Sequence, residues 1–121
     1  MSRPIRASIN LPALTHNLSI VRKYAPNSRI MAVIKADAYG HGLLPAAQAL
    51  RAADGFALLE LDAAIALREA GFKQPILLLE GFFSMQELQL FQQFQLNAVI
   101  HHNEQISMLL ASKERDLGLF M

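Results

Sequence analysis

Four short apolar runs each end on a polar residue, and those polar residues recur at a nearly constant interval. They are Lys35, Glu60, Glu80 and His101, separated by 25, 20 and 21 residues. Each interval is the length of one strand, one turn, one helix and a second turn. The runs are Ile30 to Ile34, Phe56 to Leu59, Pro75 to Leu79 and Asn97 to Ile100. Strands alternating with helices imply parallel pairing through right-handed crossovers. The runs are almost wholly apolar, which predicts a sheet covered on both faces. Two architectures satisfy this: a doubly wound open sheet, or part of an eight-unit (β/α) barrel. A whole barrel takes about 250 residues, and the chain has 121. On the barrel reading it holds about four of eight units, plus an extra N-terminal strand at Ile5 to Ile9.

The helices follow from capping and spacing. Asn10 caps a first helix with Pro12 in its opening turn, where proline is tolerated. Leu11, Leu14, Leu18 and Val21 form its apolar face, and Ala25-Pro26-Asn27-Ser28 stops it. Leu43 to Ala53 reads as a helix with Pro45 in its first turn. Asp62 to Ala70 reads as another, closed by Gly71. Ser84-Met85-Gln86-Glu87 has the order of a capping box before a helix reaching about Phe94. Asn103 is expected to cap a last helix ending near Ser112. The tail Lys113-Glu114-Arg115-Asp116 is charged, and Leu117 to Met121 begins another apolar stretch.

Composition narrows the function classes. The formal net charge is +1, too small to indicate nucleic-acid binding, which needs clustered surplus Lys and Arg. Fifty-three per cent of residues are apolar and 17% charged, which argues against disorder. With no cysteine, disulfides, thiolate metal sites and thiol nucleophiles are excluded. No apolar run approaches the roughly 20 residues that span a bilayer. No secretory signal is visible after Met1-Ser2-Arg3-Pro4, so a cytoplasmic location and no membrane partner are expected.

Lys35 leads the residues that can carry chemistry. A lysine at the carboxyl end of a parallel strand lies where such folds bind their ligands. Its amine can condense with an aldehyde, including that of pyridoxal phosphate, or it can simply leave the sheet into solvent. Tyr39 can donate to a phosphate or pack at the turn. Gly40 and Gly42 permit a close backbone approach but form no phosphate-loop signature. His41 fits best as a residue that orients the turn through its ring nitrogens. Glu60 and Glu80 end consecutive strands and read as caps or ion pairs, or as an acid–base pair. His101 and His102 are adjacent and point apart, so no metal site is expected.

The string Ala32-Val33-Ile34-Lys35-Ala36-Asp37-Ala38-Tyr39-Gly40-His41-Gly42 closely resembles the cofactor-lysine motif of alanine racemases. The resemblance continues through Asn10 to Leu18, through Glu60 to Ala64 and Leu67 to Gly71, and through Pro75 to Phe83. It covers residues 5 to 112. It implies a TIM-type (β/α) barrel followed by a mostly β C-terminal domain, assembled as a homodimer. It implies pyridoxal 5′-phosphate as cofactor, alanine as small-molecule substrate, and D-alanine supply for peptidoglycan. Lys35 would hold the cofactor as a Schiff base and act as catalytic base on one face. Tyr39 would bond the cofactor phosphate.

Residues 1–121 then correspond to the N-terminal part of the barrel domain, with the C-terminal β domain outside the chain. The chain is expected to stop before the fifth barrel strand. The opposing catalytic tyrosine, the arginines near the cofactor ring and most of the phosphate cup have no counterpart here. The expected activity is alanine racemase, in a fragment inactive alone. The alternatives are a non-catalytic pyridoxal-phosphate-binding module and a non-functional remnant. The barrel's inward face is expected to be an exposed apolar surface, because helices cover only the other.

Overall fold

A computed structural model describes residues 3–112 and 117–120. The elements in chain order are α1 (Leu11–Tyr24), β1 (Met31–Val33), α2 (Lys35–Tyr39), α3 (Leu43–Ala49), β2 (Gly55–Leu58), α4 (Leu61–Glu69), β3 (Ile76–Leu78), α5 (Met85–Gln93), β4 (Asn97–Val99), α6 (Asn103–Ala111) and β5 (Leu119–Phe120). The strands form one sheet in the order β1-β2-β3-β4-β5, every pair parallel. Sequential order without reversal is the barrel solution; a doubly wound sheet reverses at a switch point.

The register explains where the core lies. Side chains alternate across a strand. Ile34, Phe56, Leu58, Ile76, Leu78, Ala98 and Ile100 belong to one buried cluster with Ala47, Ala64, Leu67, Leu88 and Phe91 of the helices. Edge-to-face ring pairs, Phe56 with Phe72 and Phe82 with Phe91, both at 5.6 Å, brace this layer. The opposite face carries a cross-strand row of Val33, Ala57, Leu77 and Asn97. Val33 is 55% exposed and Met31 36%. Both are at the β1 edge; further along the same row Ala57 is 1% exposed and Leu77 7%, so the apolar exposure expected of this face is found at its β1 edge and not at its centre.

Three expectations are corrected. Ile5 to Ile9 forms no strand. Ile5 is 79% exposed and Ile9 43%, and apolar residues without a neighbouring ladder cannot make a strand. A fifth strand is present, because β5 pairs with β4 through Ala98–Leu119 and Val99–Phe120. The last helix is capped by His102 rather than Asn103: His102 Nδ1 accepts from the Glu104 N–H at 3.1 Å. The charged tail Lys113 to Asp116 lies outside the described residues, as do Met1, Ser2 and Met121.

At the amino ends of the strands, side chains tie each unit to the next. Arg22 donates to Asp54 Oδ2 at 2.9 Å and to the Ala52 carbonyl at 2.9 Å. Gln74 donates to the Arg51 and Ala53 carbonyls. Arg68 donates to the Phe72, Gln74, Phe94 and Gln95 carbonyls at 2.8 to 3.0 Å. Burial holds this guanidinium below the usual arginine value. Among the described residues no helix is long and apolar enough to cross a membrane.

Candidate functional site at the carboxyl ends of the strands

Lys35 is the first residue beyond the β1 ladder. The preceding Ile34 still donates its N–H to the Ala57 carbonyl at 2.9 Å, and its side chain is 2% exposed. Lys35 itself is half-buried. It lines a pocket of about 100 Å³ with Ile34, Ala36, Asp37, Leu43, Leu58, Leu59, Glu60 and Ala63. The pocket lies where β1 and β2 give way to the turns that begin α3 and α4.

The backbone then does something that the residue types do not announce. Ala36, Asp37, Ala38 and Tyr39 all have positive φ, between 52° and 54°. This is a left-handed turn. For L-residues with a Cβ it costs about 1–2 kcal/mol each, so the surroundings must hold it. The Ala38 N–H reaches back to the Ile34 carbonyl at 3.2 Å. The Asp37 carbonyl accepts from the N–H groups of Gly40 and Gly42 at 3.1 and 3.0 Å. Asp37 Oδ1 accepts from the Leu43 N–H at 2.8 Å. His41 Nδ1 donates to the Ala38 carbonyl at 2.7 Å, the orienting role expected of it. Tyr39 stands 70% exposed at the rim.

The other candidates separate by role. Glu60 and Glu80 are exposed and line one open pocket of about 490 Å³ with Asp62 and Glu87. Glu87 Oε2 accepts from the Phe83 N–H at 2.6 Å, and Ser84 Oγ accepts from the Glu87 N–H at 3.1 Å. His101 Nε2 donates to the Glu80 carbonyl at 3.0 Å, while His102 is committed to its cap. Among the described residues no group of three or more His, Cys, Asp or Glu converges as a metal site.

Two rim residues escaped the sequence reading. Asp37 stood inside the motif without a role. Gln105 is 3% exposed and bridges two loops. Its Nε2 donates to the carbonyls of Glu80 and Phe82, at 3.0 and 3.4 Å. Its Oε1 accepts from the N–H groups of His101 and His102, at 2.8 and 3.1 Å. The spacing His102-x-x-Gln105 is a capping-box spacing, which was the available signal.

Residues 9–119 match the family described as Alanine racemase, N-terminal domain. The chain is 64% identical over 115 residues to an alanine racemase of Nitrosospira multiformis, covering 95% of this chain and 32% of that protein. It is 56% identical over 115 residues to a catabolic alanine racemase of Klebsiella aerogenes, again covering 95% and 32%. Among solved structures, the biosynthetic alanine racemase of Pseudomonas aeruginosa superposes with a TM-score of 0.91 at 38% identity, over 98% of this chain and 34% of that one. That of E. faecalis gives 0.83 at 34% identity, over 97% and 33%. The chain thus spans about a third of the length of these relatives. A family match over residues 9–119, joined to a strand order that fits a barrel, means that the chain belongs to the alanine racemase N-terminal domain family.

Proposed function

We propose that the protein to which these residues belong interconverts L- and D-alanine with pyridoxal 5′-phosphate. The observation that carries this reading is Lys35 at the carboxyl end of β1, tied by one left-handed turn to Tyr39, inside the segment that matches the family. The donor chemistry fits the cofactor: a half-buried amine suits its aldehyde, and an exposed phenol suits its phosphate. When bound, the cofactor supplies an electron sink for the charge left as the α-proton departs. Lys35 would hold it covalently and, once released by substrate, take and return that proton from one face. Tyr39 would donate its phenolic hydrogen to the phosphate. Ile34 and Leu58, buried beneath the turn, keep the floor of this corner apolar.

Racemisation needs a second acid–base on the opposite face. We place it, with the C-terminal β domain and the partner subunit of a homodimer, outside these 121 residues. The chain alone is then expected not to racemise, since a missing base removes about 10²–10⁴-fold of rate. The spans of about a third favour binding without turnover as the behaviour of this chain by itself. The wider role we infer is cytoplasmic D-alanine supply for peptidoglycan.

The test is incubation of the chain with pyridoxal 5′-phosphate, followed by absorbance and a D-alanine assay. The expected result is a visible band that disappears in Lys35→Ala, without turnover. A band of equal strength in Lys35→Ala defeats the assignment of Lys35. Turnover by the unaccompanied chain defeats the placement of the second base.

A further inference from the structure

We propose that Asp37 is the positioning residue of the site, holding the left-handed turn that keeps Lys35 and Tyr39 together; this rests on the functional reading of those two residues given above. One helical turn advances about 5.4 Å, whereas five residues in extended chain would separate the two ends by roughly 13 Å. The turn therefore decides whether the amine and the phenol serve one ligand. Its residues do not favour it: two alanines, an aspartate and a tyrosine are all more stable right-handed.

Asp37 supplies the counterweight from both of its ends. Its carbonyl accepts from the N–H groups of Gly40 and Gly42, closing the turn behind Tyr39. Its carboxylate accepts from the Leu43 N–H, the first residue of α3. Gly42, at the cap position of α3, has no side chain to offer there. Asp37 thus anchors the turn to the start of a helix whose Ala46 and Ala47 are buried. An acceptor at a helix start is the favourable arrangement for its unpaired N–H groups. His41 adds a brace to the Ala38 carbonyl but does not reach α3.

The experiment compares the 121-residue chain with Asp37→Asn, which keeps the Oδ1 acceptor, and Asp37→Ala, which removes it. Amide hydrogen exchange at Leu43 is read without cofactor. Pyridoxal 5′-phosphate uptake is read by the Lys35-dependent band, in the presence and absence of Tyr39→Phe. In Asp37→Ala the Leu43 amide should lose about tenfold of its protection while Leu67 in α4 keeps its own, as expected for a lost cap. Uptake should weaken about tenfold and become insensitive to Tyr39→Phe, the sign of a broken coupling. Asp37→Asn should stay within about twofold of the parent in both readouts. Equal Leu43 protection in all three chains overturns the inference alone. So does an Asp37→Asn chain as impaired as Asp37→Ala, or a Tyr39→Phe effect that survives in Asp37→Ala. Absence of Lys35-dependent uptake by the parent chain overturns the functional reading, while the exchange comparison still decides whether Asp37 holds the turn.

Discussion

The amide nitrogen of Gln105 and the backbone of Gly81 approach so closely that a methyl group on Gly81 would lie 2.6 Å from it, and 2.5 Å from the Val99 carbonyl. Gly81 also has φ +71°, where a side chain is strained. Gly81→Ala should therefore destabilise the chain by about 3 kcal/mol. Gln105→Ala should cost about 2–3 kcal/mol by stranding loop N–H and carbonyl groups. Because Gln105 is half of the obstruction, the double variant should lose less than the two single losses combined. Urea midpoints of the four proteins check this; strict additivity would count against a shared contact.

Arg68 should be hard to replace. It satisfies four carbonyls from two loops with one planar group. Lysine is a single point donor and cannot reproduce the fork. Arg68→Lys should cost about 2–3 kcal/mol, nearly as much as Arg68→Met. Denaturant unfolding measures it, and a lysine variant of parental stability would show the fork to be dispensable.

Asp54 makes stability depend on pH from the acid side. The Ile30 N–H, donating at 2.7 Å, and then Arg22 hold its carboxyl below the usual 3.8. A carboxylate with a depressed folded value stabilises the fold above its unfolded value, and that contribution disappears as pH falls through the folded one. The melting-temperature gap between the parent and Asp54→Asn should thus be full at neutral pH and shrink below pH 3.8. A gap constant down to the most acid condition would refute the linkage.

The handedness of the turn after Lys35 gives a contrast between two alanines. At Ala36, φ is +53°, so Ala36→Gly should leave stability unchanged or raise it by up to about 1 kcal/mol. At Ala66, inside right-handed α4, the same change should cost about 1 kcal/mol. Ala36→Val should lose about 1–2 kcal/mol, because a β-branched residue resists positive φ. Thermal melts of the three variants decide it, and equal losses at Ala36 and Ala66 on changing to glycine would contradict the left-handed assignment.

The sheet was legible because its signal is local and repeated. The apolar runs from Ile30, Pro75 and Asn97 contain the strands found there, and β2 begins one residue before the run from Phe56. Ser84 caps α5, and Gly71, at φ +96°, closes α4 as its position suggested. Ile5 to Ile9 misled because strand formation depends on a partner that a single segment cannot reveal. The left-handed turn was hidden because alanine carries no mark of αL backbone; its tethers, among them Asp37 to Leu43 and His41 to Ala38, select it. Gln105 was hidden for a related reason. A glutamine reads as surface until its four backbone partners assemble, two of them from a loop more than twenty residues upstream.

The two ends of the sheet are secured in opposite ways. Where strands begin, Arg22, Gln74 and Arg68 bolt neighbouring units together, so no unit there can be altered in isolation. Where the lysine-bearing strand finishes, Asp37 and His41 close the turn upon its own segment. Residues 35–43 consequently form a cassette whose side-chain ties are its own, seated on a cross-braced chassis through Ala38 and Leu43.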